Sequence, residues 1–271
     1  MVPSQIRFED GAEYERYMGI WSQAVGATFL DWLAPPAALR WLDVGCGNGA
    51  FTELLVERCA PAAVHGIDPS EAQLAFARTR LGSRVAQLER GDAMAQPFAD
   101  DTFDAAVMPL VIFFVPDPAT GVREMARVVR PGGLVAAYAW DMVDGGFPYG
   151  AVQAQLRELG ADVPVPPNPE ASRLDVLREL WAGAGLDAVA TREIAVHRTF
   201  ADFDDYWATI LGGPSVGRQL AAMSAEALAR FRTQLRERLP AADAAGRITV
   251  GARANAVHGR VPPGQLPAAD A

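Results

Sequence analysis

Residues 42–51 read Leu-Asp-Val-Gly-Cys-Gly-Asn-Gly-Ala-Phe. A short apolar strand ends in the acidic Asp43, a turn carries glycine at 45, 47 and 49, and a helix begins at once. Glycine suits such a turn because a side chain would block backbone approach to a ligand, and because tight turns often require positive φ. The helix that follows aims unpaired N–H groups and the positive end of its dipole at whatever is bound. The stretch predicts a nucleotide-like cofactor site at the head of an α/β domain.

Two cofactor classes compete for it. Gly45-x-Gly47-x-x-Ala50 satisfies the dinucleotide pattern, in which a diphosphate rests on the helix N-terminus. Asp68, at the end of the next apolar run (Val64–Asp68), satisfies the companion ribose contact. Nicotinamide, flavin and S-adenosylmethionine enzymes share this much. Asp43 argues against a diphosphate, which a carboxylate beside the turn would repel, and for a ligand carrying an ammonium and a sulfonium. Three further stretches follow: Gly91-Asp92-Ala93 after a strand-like run from Val85, Pro97 to Val107 as a polar turn feeding an apolar strand, and Arg130-Pro131-Gly132-Gly133 turning a helix into the strand Leu134–Trp140.

With these motifs in this order, the chain resembles the class I S-adenosylmethionine-dependent methyltransferases, and among them the small-molecule branch of the ubiquinone/menaquinone C-methyltransferases. The resemblance is strong from about residue 38 to 140 and thins after 145. It implies a seven-stranded, mostly parallel, doubly wound sheet, and methyl transfer from S-adenosylmethionine to a small organic acceptor. It implies roles as well: Asp68 and its neighbours Pro69 and Gln73 at the ribose, Asp92 with Gly91, Ala93 and Met94 at the adenine, and Asp43, Gly45, Cys46, Gly47 and Gly49 about the methionine part. Met108 and Pro109, ending the fourth strand, are implied to face the methyl group. The alternatives are an NAD(P)-dependent oxidoreductase, which lacks here an evident Tyr-x-x-x-Lys pair in a chain without lysine, and a non-catalytic cofactor-binding protein.

Working outward, Arg40–Val44 reads as the first strand and Gly49–Cys59 as a helix with Phe51, Leu54, Leu55 and Cys59 on one face. Ser70-x-x-Gln73 opens the next helix, and Asp117-Pro118 caps another whose stripe is Val122, Met125 and Val129. Strands alternating with helices imply parallel pairing with right-handed crossovers, and ligands at the carboxyl ends of the strands. Residues 1–37 are expected to form a helical flap, 38–145 the cofactor-binding core, 146–261 the rest of the sheet with a helical lid inserted, and 262–271 a disordered tail. The runs Asp187–Thr199 and Arg247–His258 are the candidates for the last two strands.

Tyr14, Tyr17 and Trp21 share one helical face; such a stripe is most often core, but its place before the first strand gives it the flap reading here. Phe113, Trp140 and Trp207 are candidates for the acceptor pocket. His197, late in a strand, and Asp141, after the fifth strand, are the candidates for a general base.

A net charge of −9 and the lack of a basic stripe disfavour a nucleic-acid partner. The arginines of residues 230–238 read as the solvated face of a helix whose other side is Leu228, Phe231, Leu235 and Leu239. No run approaches the ~18 apolar residues of a membrane span. Two cysteines, Cys46 and Cys59, do not suggest a disulfide framework, so a cytoplasmic setting is expected. Metal is not expected, since His65, His197 and His258 lack ligand spacing.

Overall fold

The computed structural model describes residues 15–82, 86–213 and 216–263. Tyr14, Val85 and the tail from residue 264 lie outside the described residues, and with them those expectations.

Among the described residues, seven strands form one sheet in the order β3-β2-β1-β4-β5-β7-β6. They are β1 (Arg40–Val44), β2 (Ala63–Asp68), β3 (Ala86–Arg90), β4 (Phe103–Pro109), β5 (Val129–Trp140), β6 (Asp187–Phe200) and β7 (Ile248–Arg260). The first five pair in parallel, whereas β7 runs antiparallel to both β5 and β6. The doubly wound, mostly parallel seven-stranded sheet expected from the sequence is therefore present. Strand order reverses at β1, which lies between β2 and β4, so a crevice opens at the carboxyl ends of β1 and β4.

Helices cover both faces. On one lie α1 (Ile20–Leu33) and α2 (Ala50–Cys59), whose Phe29 and Phe51 pack on the Tyr138 ring of β5 at 4.8 and 5.7 Å between centroids. Between β2 and β3 runs α3 (Glu71–Leu81), where the Ser70 hydroxyl accepts from the Gln73 amide as the capping pattern predicts. On the other face α4 (Pro118–Val128) buries Val122, Met125 and Val128, and Asp117 caps it by accepting from the Thr120 amide at 3.1 Å. That helix ends at Val128, and Val129 already pairs with Phe103 in the sheet. Arg130 to Gly133 thus lie inside β5 rather than in a turn, and the shift of register between Phe103 and Ala105 absorbs them as a bulge.

The later helices are α5 (Gly150–Glu158), α6 (Leu174–Gly183), α7 (Phe203–Leu211), α8 (Gly217–Ala221) and α9 (Ala225–Arg238). Trp181 of α6 donates its indole N–H to the Val135 carbonyl at 2.9 Å, pinning that helix to the sheet. Gln155 of α5 donates to the Phe231 carbonyl of α9 at 2.9 Å. Phe203 and Trp207 of α7 stack on each other, and Trp207 packs on Phe231.

Candidate active site

The turn after β1 is tied to β2, because the Gly45 and Cys46 amides both donate to the Ile67 carbonyl, at 2.8 and 3.0 Å. Its three glycines all have left-handed φ, but they serve different ends. A Cβ on Gly45 would lie 2.5 Å from Val111 Cγ2, so this glycine admits the side chain that follows β4. A Cβ on Gly49 would lie 3.0 Å from the Ala77 methyl, so Gly49 permits α2 to pack on α3. At Gly47 the nearest such atom is 4.0 Å away, and its face is open.

That open face borders a cavity of about 300 Å³ in the crevice between β1 and β4. Of the expected cofactor residues, Asp43, Gly45, Cys46, Gly47, Asp68, Pro69, Gln73 and Pro109 line it together. Sequence reasoning missed Gly19 and Ser22 of the N-terminal segment, Val111, and Tyr138 on the strand beside β4. For Tyr138 no local signal exists. It reaches the cavity through its pairing with Pro109 across β4 and β5.

The cavity is mostly apolar along Pro109, Leu110, Val111 and Phe114, and polar along the turn. Leu110 has φ 58°, a left-handed conformation costing a non-glycine residue about 1 kcal/mol or more, and its amide is held by the Tyr138 carbonyl at 2.7 Å.

Asp43 is fully buried. Its Oδ2 accepts from the Thr52 hydroxyl at 2.6 Å, and its Oδ1 has no partner. Burial pushes its carboxyl up to about 7, against the pull of the Thr52 hydrogen bond and with a small push from the Asp68 charge. Asn48, also buried, accepts from the Ala50 amide at 3.2 Å while its Nδ2 is unpartnered. It precedes the N-cap position of α2, which is Gly49. Asp68 accepts from the Ser70 amide at 2.8 Å and from the Gly47 amide at 3.0 Å, and these two bonds oppose the upward push of burial on its carboxyl. Burial, reinforced by the Asp43 and Asp68 charges, pushes the Cys46 thiol far up. The buried Cys46 side chain packs against Gly66 of β2 and fills the turn.

Several expected site residues lie elsewhere. None of Gly91, Asp92, Ala93 and Met94 lines the cavity: the exposed Asp92 accepts from the Met94 amide at 2.8 Å, and the Gly91 amide donates to the Asp68 carbonyl at 3.2 Å. Met108 is fully buried on the α4 side of the sheet, where its methyl approaches Gly121, because successive strand residues face opposite ways. Tyr17 and Trp21 are core rather than cover: Tyr17 stacks on Tyr149 at 4.1 Å, and Trp21 donates to the Tyr149 hydroxyl at 3.1 Å. Trp140 packs edge-on against Trp21, Phe113 is buried against Phe114, and Trp207 belongs to the α7–α9 packing. No residue of α7, α8 or α9 lines the cavity.

Neither general-base candidate reaches it. His197 is exposed on β6, the outermost strand, beside Gly251. Asp141 is buried, with its Oδ2 paired to Arg253 at 2.5 Å and its Oδ1 accepting from the Val143 and Asp144 amides.

The donor set fits an adenosyl amino-acid cofactor: an open glycine face, a carboxylate at the end of β2, and a buried orphan acceptor and donor, Asp43 Oδ1 and Asn48 Nδ2, at one end. Known proteins concur. Residues 42–137 match the methyltransferase domain family. An uncharacterized methyltransferase of Mycobacterium tuberculosis is 40% identical over 42% of this chain and 45% of its own. The ubiquinone/menaquinone biosynthesis C-methyltransferase of Roseobacter denitrificans is 36% identical over 42% of this chain and 46% of its own. The chain thus spans about half the length of the curated relatives it matches. Phosphoethanolamine N-methyltransferase 2 of Haemonchus contortus, solved with S-adenosyl-L-methionine, superposes with a TM-score of 0.58 over 93% of this chain and 56% of that one, at 18% identity, a likeness of fold. The stretch from 42 to 137 therefore matches a methyltransferase domain.

Proposed function

We propose that the chain transfers a methyl group from S-adenosylmethionine to a small organic acceptor in the cavity between β1 and β4. One observation carries the reading. Two residues lining the same cavity, Asp43 and Asn48, each keep a buried polar atom without a partner, Oδ1 and Nδ2, and together they complement an α-amino acid, whose ammonium donates to the first and whose carboxylate accepts from the second. Leaving such atoms unmade costs about 1–3 kcal/mol each. A nicotinamide dinucleotide has no ammonium to offer, which disfavours the oxidoreductase alternative.

When bound, the cofactor supplies a methyl group on a positively charged sulfur, a leaving group that needs no covalent help from the protein. The chain's own residues then bind, align and dry the site. Asp68 is assigned the ribose hydroxyls, exchanging part of its hold on the Gly47 and Ser70 amides for them. The open face of Gly47 admits the amino-acid part. Pro109, Leu110, Val111, Phe114 and the Tyr138 ring form the apolar wall against which acceptor and methyl group are brought into line, with water excluded. That wall, and the likeness to a quinone C-methyltransferase, support an apolar or flat acceptor. We also assign the chain to the cytoplasm; among the described residues, no helix is long and apolar enough to cross a membrane.

Calorimetry with S-adenosylhomocysteine and with NAD⁺ tests the reading, with Asp68→Ala as control. The expected result is binding of the former alone, weakened by about 2–3 kcal/mol in the variant. Binding of NAD⁺ alone would overturn it.

A further inference from the structure

A second cavity, about 430 Å³, opens where α6 faces β6 and β7. It is unlike the first. Five carboxylates and three guanidinium groups line it, so it is net negative. Arg253 is committed to Asp141, and Arg178 donates to the Thr191 hydroxyl at 2.6 Å. Glu193, by contrast, comes no nearer than 3.9 Å to the Arg253 guanidinium.

At its base lies Asn255, only 3% exposed. Its Nδ2 donates to the Ser172 carbonyl at 2.9 Å, which fixes the amide, and its Oδ1 has no donor. Asn255 and Glu193 are register partners on β7 and β6, so their side chains leave the sheet on the same side as neighbours. A buried orphan carbonyl and a weakly partnered carboxylate thus stand together in a net negative cleft. A group that donates hydrogen bonds and carries positive charge matches both and the net charge of the cleft.

We propose that this cleft binds a small organic cation, whose ammonium or guanidinium group bridges Asn255 Oδ1 and the Glu193 carboxylate. The site is separate from the methyl-transfer cavity. The two share no lining residue, and Asn255 lies opposite Ala139 on β5, whose side chain alternates to the face away from Tyr138. A charge-assisted bond to an otherwise unmet buried acceptor gives the site a preference for amines over alcohols of the same size.

The test is titration of the full chain with 1,4-diaminobutane at 0.15 M salt, followed by calorimetry and by the NMR signals of the Asn255 side-chain amide, with sodium acetate as the anionic control. Glu193 is mostly exposed, so Glu193→Gln keeps the fold, which a melting curve verifies. The expected result is binding of the diamine near or below about 1 mM with displacement of the Asn255 amide signals, and about tenfold weaker binding in Glu193→Gln. Equal affinity in Glu193→Gln, unmoved Asn255 signals, or no binding up to about 10 mM would each overturn the proposal. Binding of acetate in place of the diamine would overturn it too, by assigning recognition to the arginines.

Discussion

Replacing Asp43 by asparagine removes a charge from the driest position of the glycine-turn site while keeping the shape of the side chain. In the folded chain burial raises the Asp43 carboxyl from its ordinary value of 3.8 to about 7, despite the Thr52 hydrogen bond. The folded state therefore holds a proton that the unfolded state releases between those values. Stability falls as pH rises through that window, and the full penalty, about 4 kcal/mol at 1.36 kcal/mol per pH unit, is present above about 7. An asparagine does not titrate, so the advantage of Asp43→Asn over the parent should grow by about 3 kcal/mol between pH 5 and pH 8. Urea unfolding of both proteins at the two pH values reads this directly. Binding should move the other way: S-adenosylhomocysteine loses an ionic partner for its ammonium in Asp43→Asn, and the parent's affinity should decline as pH drops below about 7. A stability gap that does not change with pH would refute the reasoning, because the carboxyl would then be ordinary.

Gly45→Ala places a methyl group against Val111 in a left-handed conformation; it should cost about 2 kcal/mol or more in a thermal melt and abolish S-adenosylhomocysteine binding, whereas Val111→Ala alone should retain binding. Arg253→Ala leaves the Asp141 carboxylate buried without its guanidinium; chemical unfolding should register a loss of about 3 kcal/mol, and adding Asp141→Asn should recover part of it. His197→Ala, on the exposed side of β6, should leave the methyl-transfer rate unchanged; a tenfold fall in kcat would return His197 to the chemistry.

What the sequence disclosed was local. The glycine turn, Asp68 at the strand end, and the caps at Ser70 and Asp117 are each written within a few residues, and each stands as expected. Asp187–Thr199 and Arg247–His258 were legible as strands, since alternation is also local. Which face or neighbour a residue meets was not. Met108 and Pro109 are adjacent in sequence, yet one enters the core and the other the cavity, because strand side chains alternate and only the packing of α4 decides which side is which. Tyr17 and Trp21 form the stripe a flap would have, but their partner Tyr149 lies more than a hundred residues away, and that contact makes them core. Asp141 resembled a base from sequence because nothing near it announces Arg253.

The placement of β7 between β5 and β6 has a consequence for the order in which the chain can be assembled during synthesis. The parallel strands β1 to β5 need only the first half of the chain, and they can associate while the remainder is still being made. The strand β6 cannot join them, because among the described residues its sole neighbour in the sheet is β7, which is translated some fifty residues later. Until then both β6 and the outer edge of β5 present unpaired backbone groups, the condition that favours aggregation or recruitment of a chaperone. A ribosome stalled before residue 248 would hold a chain with its glycine-turn domain in place and two open edges, and one late strand closes both.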